Sequence, residues 1–191
     1  MKKILSITLV ITLLISGLFI LTGCNNNQET KEVKENSNVD KYEIEASYGK
    51  LNFEIAKDTG YEFEAGTNNC TLTHKDNKST IKMYLMDTSK SSILMKETDF
   101  SSSAYTDYKT FEINGMQAFS IRKSNNFEVK IGILLDEYDK NHGKNHGVSI
   151  VVSKNALKTE EFDPEAFVNS EVFQNLLNSI KLELNNSEVA E

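Results

Sequence analysis

The sequence predicts an α+β domain: an antiparallel sheet with helices on its faces, an αβα sandwich. Three observations predict it. Between Tyr42 and Ser153 apolar residues recur with period two, the mark of half-buried strands. Short turn signals such as Asn114-Gly115 join these runs, which favours hairpins over long crossovers. After Asp163-Pro164 the period changes, and Val168, Val172, Leu176 and Ile180 recur every four residues. Phe173 and Leu177 widen that stripe, as in a helix laying one face on a sheet.

Taken in order, Tyr42, Ile44 and Ala46 alternate with Glu43, Glu45 and Ser47, a first strand that turns at Tyr48-Gly49-Lys50. Leu51, Phe53 and Ile55 form the second, broken at Asp58-Thr59-Gly60. Tyr61, Phe63 and Ala65 alternate briefly. Cys70 to His74 then leads into the turn Lys75-Asp76-Asn77-Lys78, and Ile81, Met83 and Leu85 lead back. Thr88 to Lys109 reads as a short helix and a long loop, a kind of connection that often carries function. Its Tyr105 and Tyr108 have two readings: a recognition surface, or aromatics that pack the loop onto the sheet. Three meandering strands follow: Lys109 to Ile113, Met116 to Lys123, and the run Phe127, Val129, Ile131, Ile133 and Leu135. Val148 to Ser153 is nearly continuously apolar, which predicts a central strand. Asp163 is placed to cap the helix, with Pro164 in its first turn. Ile180, Leu182 and Leu184 alternate as a short closing strand.

Ahead of this domain stand Lys2 and Lys3, then an apolar run from Ile4 to Leu21, then Leu21-Thr22-Gly23-Cys24. A basic start, an apolar stretch and a small-residue end describe a secretory signal. The run is also nearly long enough to span a bilayer as an uncleaved anchor. Leu21, Thr22, Gly23 and Cys24 resemble the lipobox of bacterial lipoproteins. That resemblance implies cleavage before Cys24, a lipid thioether on its sulfur, and a protein held at the cell membrane on its extracytoplasmic face. Two acyl chains anchor stably where one binds only marginally. The chain thus divides into a signal peptide (1–23), a tether (24–40), the α+β domain (41–184) and a polar tail (185–191). The tether is polar apart from Val33 and Val39 and cannot bury enough surface to offset its ordering entropy.

With 191 residues the chain has room for one domain with a real core. It has 2 cysteines, and lipid on Cys24 leaves Cys70 without a disulfide partner. A formal charge of −7 argues against nucleic acid as a partner and against broad contact with anionic headgroups.

The ionisable residues cluster in Asp136 to Gly147, which reads as an exposed hairpin tip with Lys-Asn-His-Gly repeated. His142 and His146 have the i, i+4 spacing that binds zinc on a helix, with Asp136, Glu137 and Asp139 nearby. Gly143 and Gly147 argue against a helix, and a metal needs three or four convergent ligands, so the tip is read as carrying no metal. Cys70 and His74 share a strand face but lie ~13 Å apart at about 3.3 Å per residue, too far for a catalytic pair. Cys70 is therefore read as a core filler. Gly147-Val148-Ser149-Ile150-Val151 fails the nucleophile-elbow pattern at its last position, and no phosphate-binding glycine loop is present. No cofactor is expected.

Phe53-Glu54-Ile55, Ile113-Asn114-Gly115 and the ending Phe173-Gln174-Asn175-Leu176-Leu177-Asn178-Ser179-Ile180-Lys181 resemble the Mog1/PsbP-like family over roughly residues 42–184. A proline frequent in that family after the early strand is replaced here by Ala56-Lys57. The resemblance implies a non-enzymatic accessory role, binding a protein partner in the cell envelope. The other readings are a small-ligand or metal-binding surface lipoprotein and, third, an envelope hydrolase.

Overall fold

The computed structural model describes residues 38–100, 103–139, 143–157 and 162–185. Among the described residues, ten strands and three short helices follow in chain order. Strand β1 is Val39–Ala46, β2 Gly49–Ala56, β3 Tyr61–Gly66, β4 Asn69–His74 and β5 Thr80–Ser89. Helix α1 is Lys90–Ile93 and is followed by a 3-10 turn at Glu97–Asp99. Strands β6 (Tyr105–Ile113), β7 (Met116–Lys123), β8 (Glu128–Asp139) and β9 (Lys144–Ser153) come next. Helices α2 (Pro164–Val168) and α3 (Glu171–Ser179) then lead to β10 (Lys181–Leu184).

The strands form two sheets, and every neighbouring pair is antiparallel. The larger has the order β3-β4-β5-β9-β8-β7-β6, and the smaller has β2 between β1 and β10. The apolar run at 148–153 does lie in the middle of the larger sheet, as its lack of alternation predicts. The fold is richer in sheet than an αβα sandwich: the helices have four, five and nine residues. The expected single helix after Asp163 is two. Asp163 caps α2 by accepting from the backbone N–H groups of Glu165 and Ala166. The chain then breaks at Asn169-Ser170, and Ser170 caps α3 through a bond from Phe173 N–H.

The main core lies on one face of the larger sheet. Leu72, Ile81, Met83, Ile131, Ile133, Val148 and Ile150 meet Leu51 and Phe53 of β2 and Phe173, Leu176 and Leu177 of α3. Burying this apolar area is the main favourable term in folding. Ser179 fastens α3 to β2: its hydroxyl accepts from Glu54 N–H at 2.8 Å and donates to the Leu176 carbonyl at 2.7 Å.

Two loops read from the sequence are shorter than expected. Val39 and Asp40, read as tether, already pair with Ala56 and Ile55. Strand β6 begins at Tyr105, not Lys109, so Tyr105 and Tyr108 belong to the sheet. A bulge hides this in the sequence: the register shifts between Thr106 and Lys109, and Asp107 sits at φ 58°. The extra residue breaks the period-two pattern on which a strand assignment rests.

The opposite face of the larger sheet carries a second apolar layer. Ile93, Phe119 and Ile121 are buried there. The segment from Ser89 to Phe100 crosses this face. Phe100 packs against Tyr105 and Phe119, and the Tyr108 hydroxyl donates to the Met95 carbonyl at 2.9 Å. The aromatics thus pack the connection onto the sheet, the second of the two readings above.

Candidate functional site

The signal residues Leu21, Thr22, Gly23 and Cys24 lie outside the described residues, as does His142. His146 does not lie on an exposed tip. It sits within β9, is 4 % exposed, and faces the core side with Val148 and Ile150. Its ring lies between two tyrosine rings: Tyr48 from the β1-β2 turn at 4.0 Å and Tyr138 from β8 at 4.1 Å, both stacked. The hairpin arms extend beyond the sequence reading because β8 shifts register at Leu134/Asp136 and again at Asp136/Asp139. Two irregularities disrupt alternation while pairing continues.

This cluster is polar at its rim. Asp136 Oδ2 is 3.6 Å from His146 Nδ1, which has no hydrogen-bond partner among the described residues. Tyr138 donates to Asp87 Oδ1 at 2.6 Å, and that bond pushes its phenol up to about 12. Burial, helped by Asp87, pushes the Tyr48 phenol up to about 12 as well. Both phenols are therefore protonated at neutral pH. Glu137 is paired with Lys90 at 2.5 Å, and Asp139 stands opposite Lys144. Among the described residues no three histidine, cysteine or carboxylate side chains converge as metal ligands. No nucleophilic side chain hydrogen-bonds the imidazole among them either. Stacking across the three rings ties the β1-β2 turn to the end of the larger sheet.

Cys70 is 1 % exposed within the main core, and burial pushes its thiol up to about 12, which disfavours the thiolate at neutral pH. His74 is spent on its turn, where Nδ1 accepts from the Asp76 and Asn77 backbone N–H groups.

Strand β6 lies at one edge of the larger sheet, as β3 does at the other. Asn114 (φ 51°) and Gly115 (φ 79°) form the tight turn their sequence predicts, which makes Ile113 and Met116 a hydrogen-bonded pair. Alternation then points the backbone groups of Phe111 and Lys109 toward β7, and those of Thr110 and Glu112 away from it. Strand β6 is the last in its sheet, so this second set faces outward. Grooves flank the same residues on both faces. On the core side a groove of about 350 Å³ is lined by Lys109, Phe111, Ile131, Val168 and Leu177. On the other side a groove of about 410 Å³ is lined by Leu94, Tyr108, Glu112 and Phe119. Sequence reasoning did not single out this strand. Strand order depends on long-range pairing that no local pattern encodes.

No protein-family model matches the chain, and no curated protein or solved structure matches it.

Proposed function

We propose that this protein is a lipid-anchored, extracytoplasmic binding module that captures a protein partner of the cell envelope at the β6 edge and performs no chemistry itself. The observation that carries the reading is the open strand between two grooves, the core-side one mainly apolar and the outer one of mixed character. The anchor rests on the Leu21-Thr22-Gly23-Cys24 signal. The finer fold reading, a Mog1/PsbP-like domain, is supported by the way the three resemblance segments interlock. Glu54 meets Ser179 through its backbone N–H, and Asn114 Nδ2 donates to the Asn178 carbonyl at 2.8 Å.

Two experiments test the proposal. Cys24→Ser is expected to move the protein from the membrane fraction to the soluble extracytoplasmic fraction, or to leave the signal uncut. Unchanged membrane association with a cleaved signal would refute lipid anchoring. A photo-reactive residue at Thr110, used on intact cells, is expected to capture one dominant envelope protein identified by mass spectrometry. The same residue at exposed Lys57 should not capture it. The same capture profile from both positions would count against a binding edge.

A further inference from the structure

We propose that the β6 edge takes an antiparallel strand from a partner protein, and that this strand reads basic, apolar, apolar, acidic from its N-terminal end. The proposal rests on the binding-module reading and specifies its partner.

The backbone gives the first half. Thr110 and Glu112 turn N–H and C=O groups outward, and among the described residues neither group has a partner. An extended peptide satisfies such groups by joining the sheet. Every neighbouring pair in the sheet it would join is antiparallel. The bulge at Asp107 bends the strand away beyond Lys109, so regular pairing is confined to Lys109–Ile113.

The side chains give the second half. Successive residues of the incoming strand point to opposite faces. The residue opposite Phe111 enters the core-side groove beside Ile131, Val168 and Leu177. The next, opposite Thr110, enters the outer groove, where Leu94, Tyr108 and Phe119 stand beside the polar Gln117. Apolar side chains at both positions cover the carbon of Phe111 on one face and of Leu94 and Phe119 on the other. Flanking them, Glu112 lines the outer groove and Lys109 the core-side groove. Both are exposed, and neither forms an ion pair among the described residues. An antiparallel strand passes Glu112 first and Lys109 last, which sets a base before the apolar pair and an acid after it.

The same charges argue against a second copy of this chain. A two-fold axis normal to the sheet pairs core-facing residues with core-facing residues. Lys109 and Glu112 face opposite sides, so no symmetric register brings one chain's lysine opposite the other's glutamate. Setting Thr110 opposite itself puts Lys109 against Phe111. The other carboxylate of β6, Asp107, is already held by Arg122.

The test uses the full lipidated chain in detergent micelles and two short fluorescent peptides. One carries basic-apolar-apolar-acidic between threonines, and the other carries the same residues reversed. Fluorescence anisotropy is expected to show the first binding about ten-fold tighter, equivalent to ~1.4 kcal/mol. In the double variant Lys109→Glu, Glu112→Lys the ranking should invert, and added salt should shrink it. Thr110→Pro removes an outward donor while sparing the bonds to β7, so it should weaken both peptides about ten-fold. Its unchanged circular dichroism would show that the fold survives.

Equal binding of the two peptides, an unaltered ranking in the charge-reversed variant, or full binding by folded Thr110→Pro would each overturn the proposal. Dimerisation abolished by Thr110→Pro would assign the edge to a second copy and overturn it too. Should neither peptide bind while the Thr110 probe still captures its envelope protein, strand addition falls and the binding-module reading stands. Should the probe capture nothing specific, that reading falls first.

Discussion

Replacing Phe173 by alanine is expected to cost about 3–5 kcal/mol and to be the most damaging single truncation in the helices. The ring is fully buried and meets Phe167 at 5.4 Å, tilted by 58°. Nothing beside it can fill the space, because Leu176 and Leu177 on the same helix are already committed to the core. The loss therefore combines the transfer free energy of the ring with the cost of the cavity it leaves. A domain of this kind holds about 5–15 kcal/mol in all, so this one change consumes a large share. Urea unfolding should show the midpoint falling at constant slope, and thermal unfolding a fall in Tm on the order of 10 °C. Leu184→Ala is the matched control, since that side chain is 48 % exposed and should change stability by less than about 0.5 kcal/mol. A cost for Phe173→Ala as small as that of the control would mean that α3 does not close the core.

Helix α3 was also among the most legible elements. Its stripe of Val172, Phe173, Leu176 and Leu177 has the period of a helix, and three of those four are buried. The hairpin turn at Asn114-Gly115 was equally plain, because type I′ geometry needs positive φ at both positions and few residues tolerate it. Period two marked most strands for the same reason: one face of each packs on a core. Reading failed where a local irregularity interrupts the period. The bulge at Asp107 hid the first residues of β6, and the shifts around Asp136 hid the ends of β8 and β9. The break at Asn169-Ser170 was visible only as a serine that can cap a helix, a signal overridden by the four-residue repeat across it.

The candidate site was less legible than the fold, for a different reason. The charges of Lys109 and Glu112 are present in the sequence, but their meaning depends on β6 being the outermost strand. That follows from the order β9-β8-β7-β6, which is set by pairings across the whole domain. His146 shows the reverse case. Its spacing from His142 invited a metal reading, yet the residues that surround its ring are Tyr48 and Tyr138. Tyr48 is almost a hundred positions away in the chain, so no local motif announces the stack.

Gly132→Ala is expected to destabilise the protein by about 2–3 kcal/mol, against the usual direction of such a change. Replacing glycine in ordinary extended backbone normally stabilises by about 0.4–1 kcal/mol through the unfolded chain. Here a methyl group would meet the backbone carbonyl oxygen of Ile93 and the ring of Phe119. The carbonyl cannot yield unless α1 lifts off the sheet. Gly147, on the neighbouring strand, gives the internal comparison. A methyl group there would meet only side-chain carbons of Ile93, with Cγ2 at 2.5 Å and Cγ1 and Cδ1 at 2.8 Å, so relief needs a shift of that side chain and not of the α1 backbone. Gly147→Ala should therefore cost less than Gly132→Ala although both sit under the same isoleucine. Hydrogen exchange in Ser91–Lys96 should rise in Gly132→Ala well beyond what the global loss explains, since the segment opens locally. Leu94 walls the outer groove, so the same variant should bind the matched peptide more weakly while circular dichroism reports an intact sheet. Equal costs for the two glycines, or unchanged exchange in the segment, would mean that the Ser89–Phe100 connection is not seated on Gly132. The groove wall that the partner strand needs would then have no support beneath it.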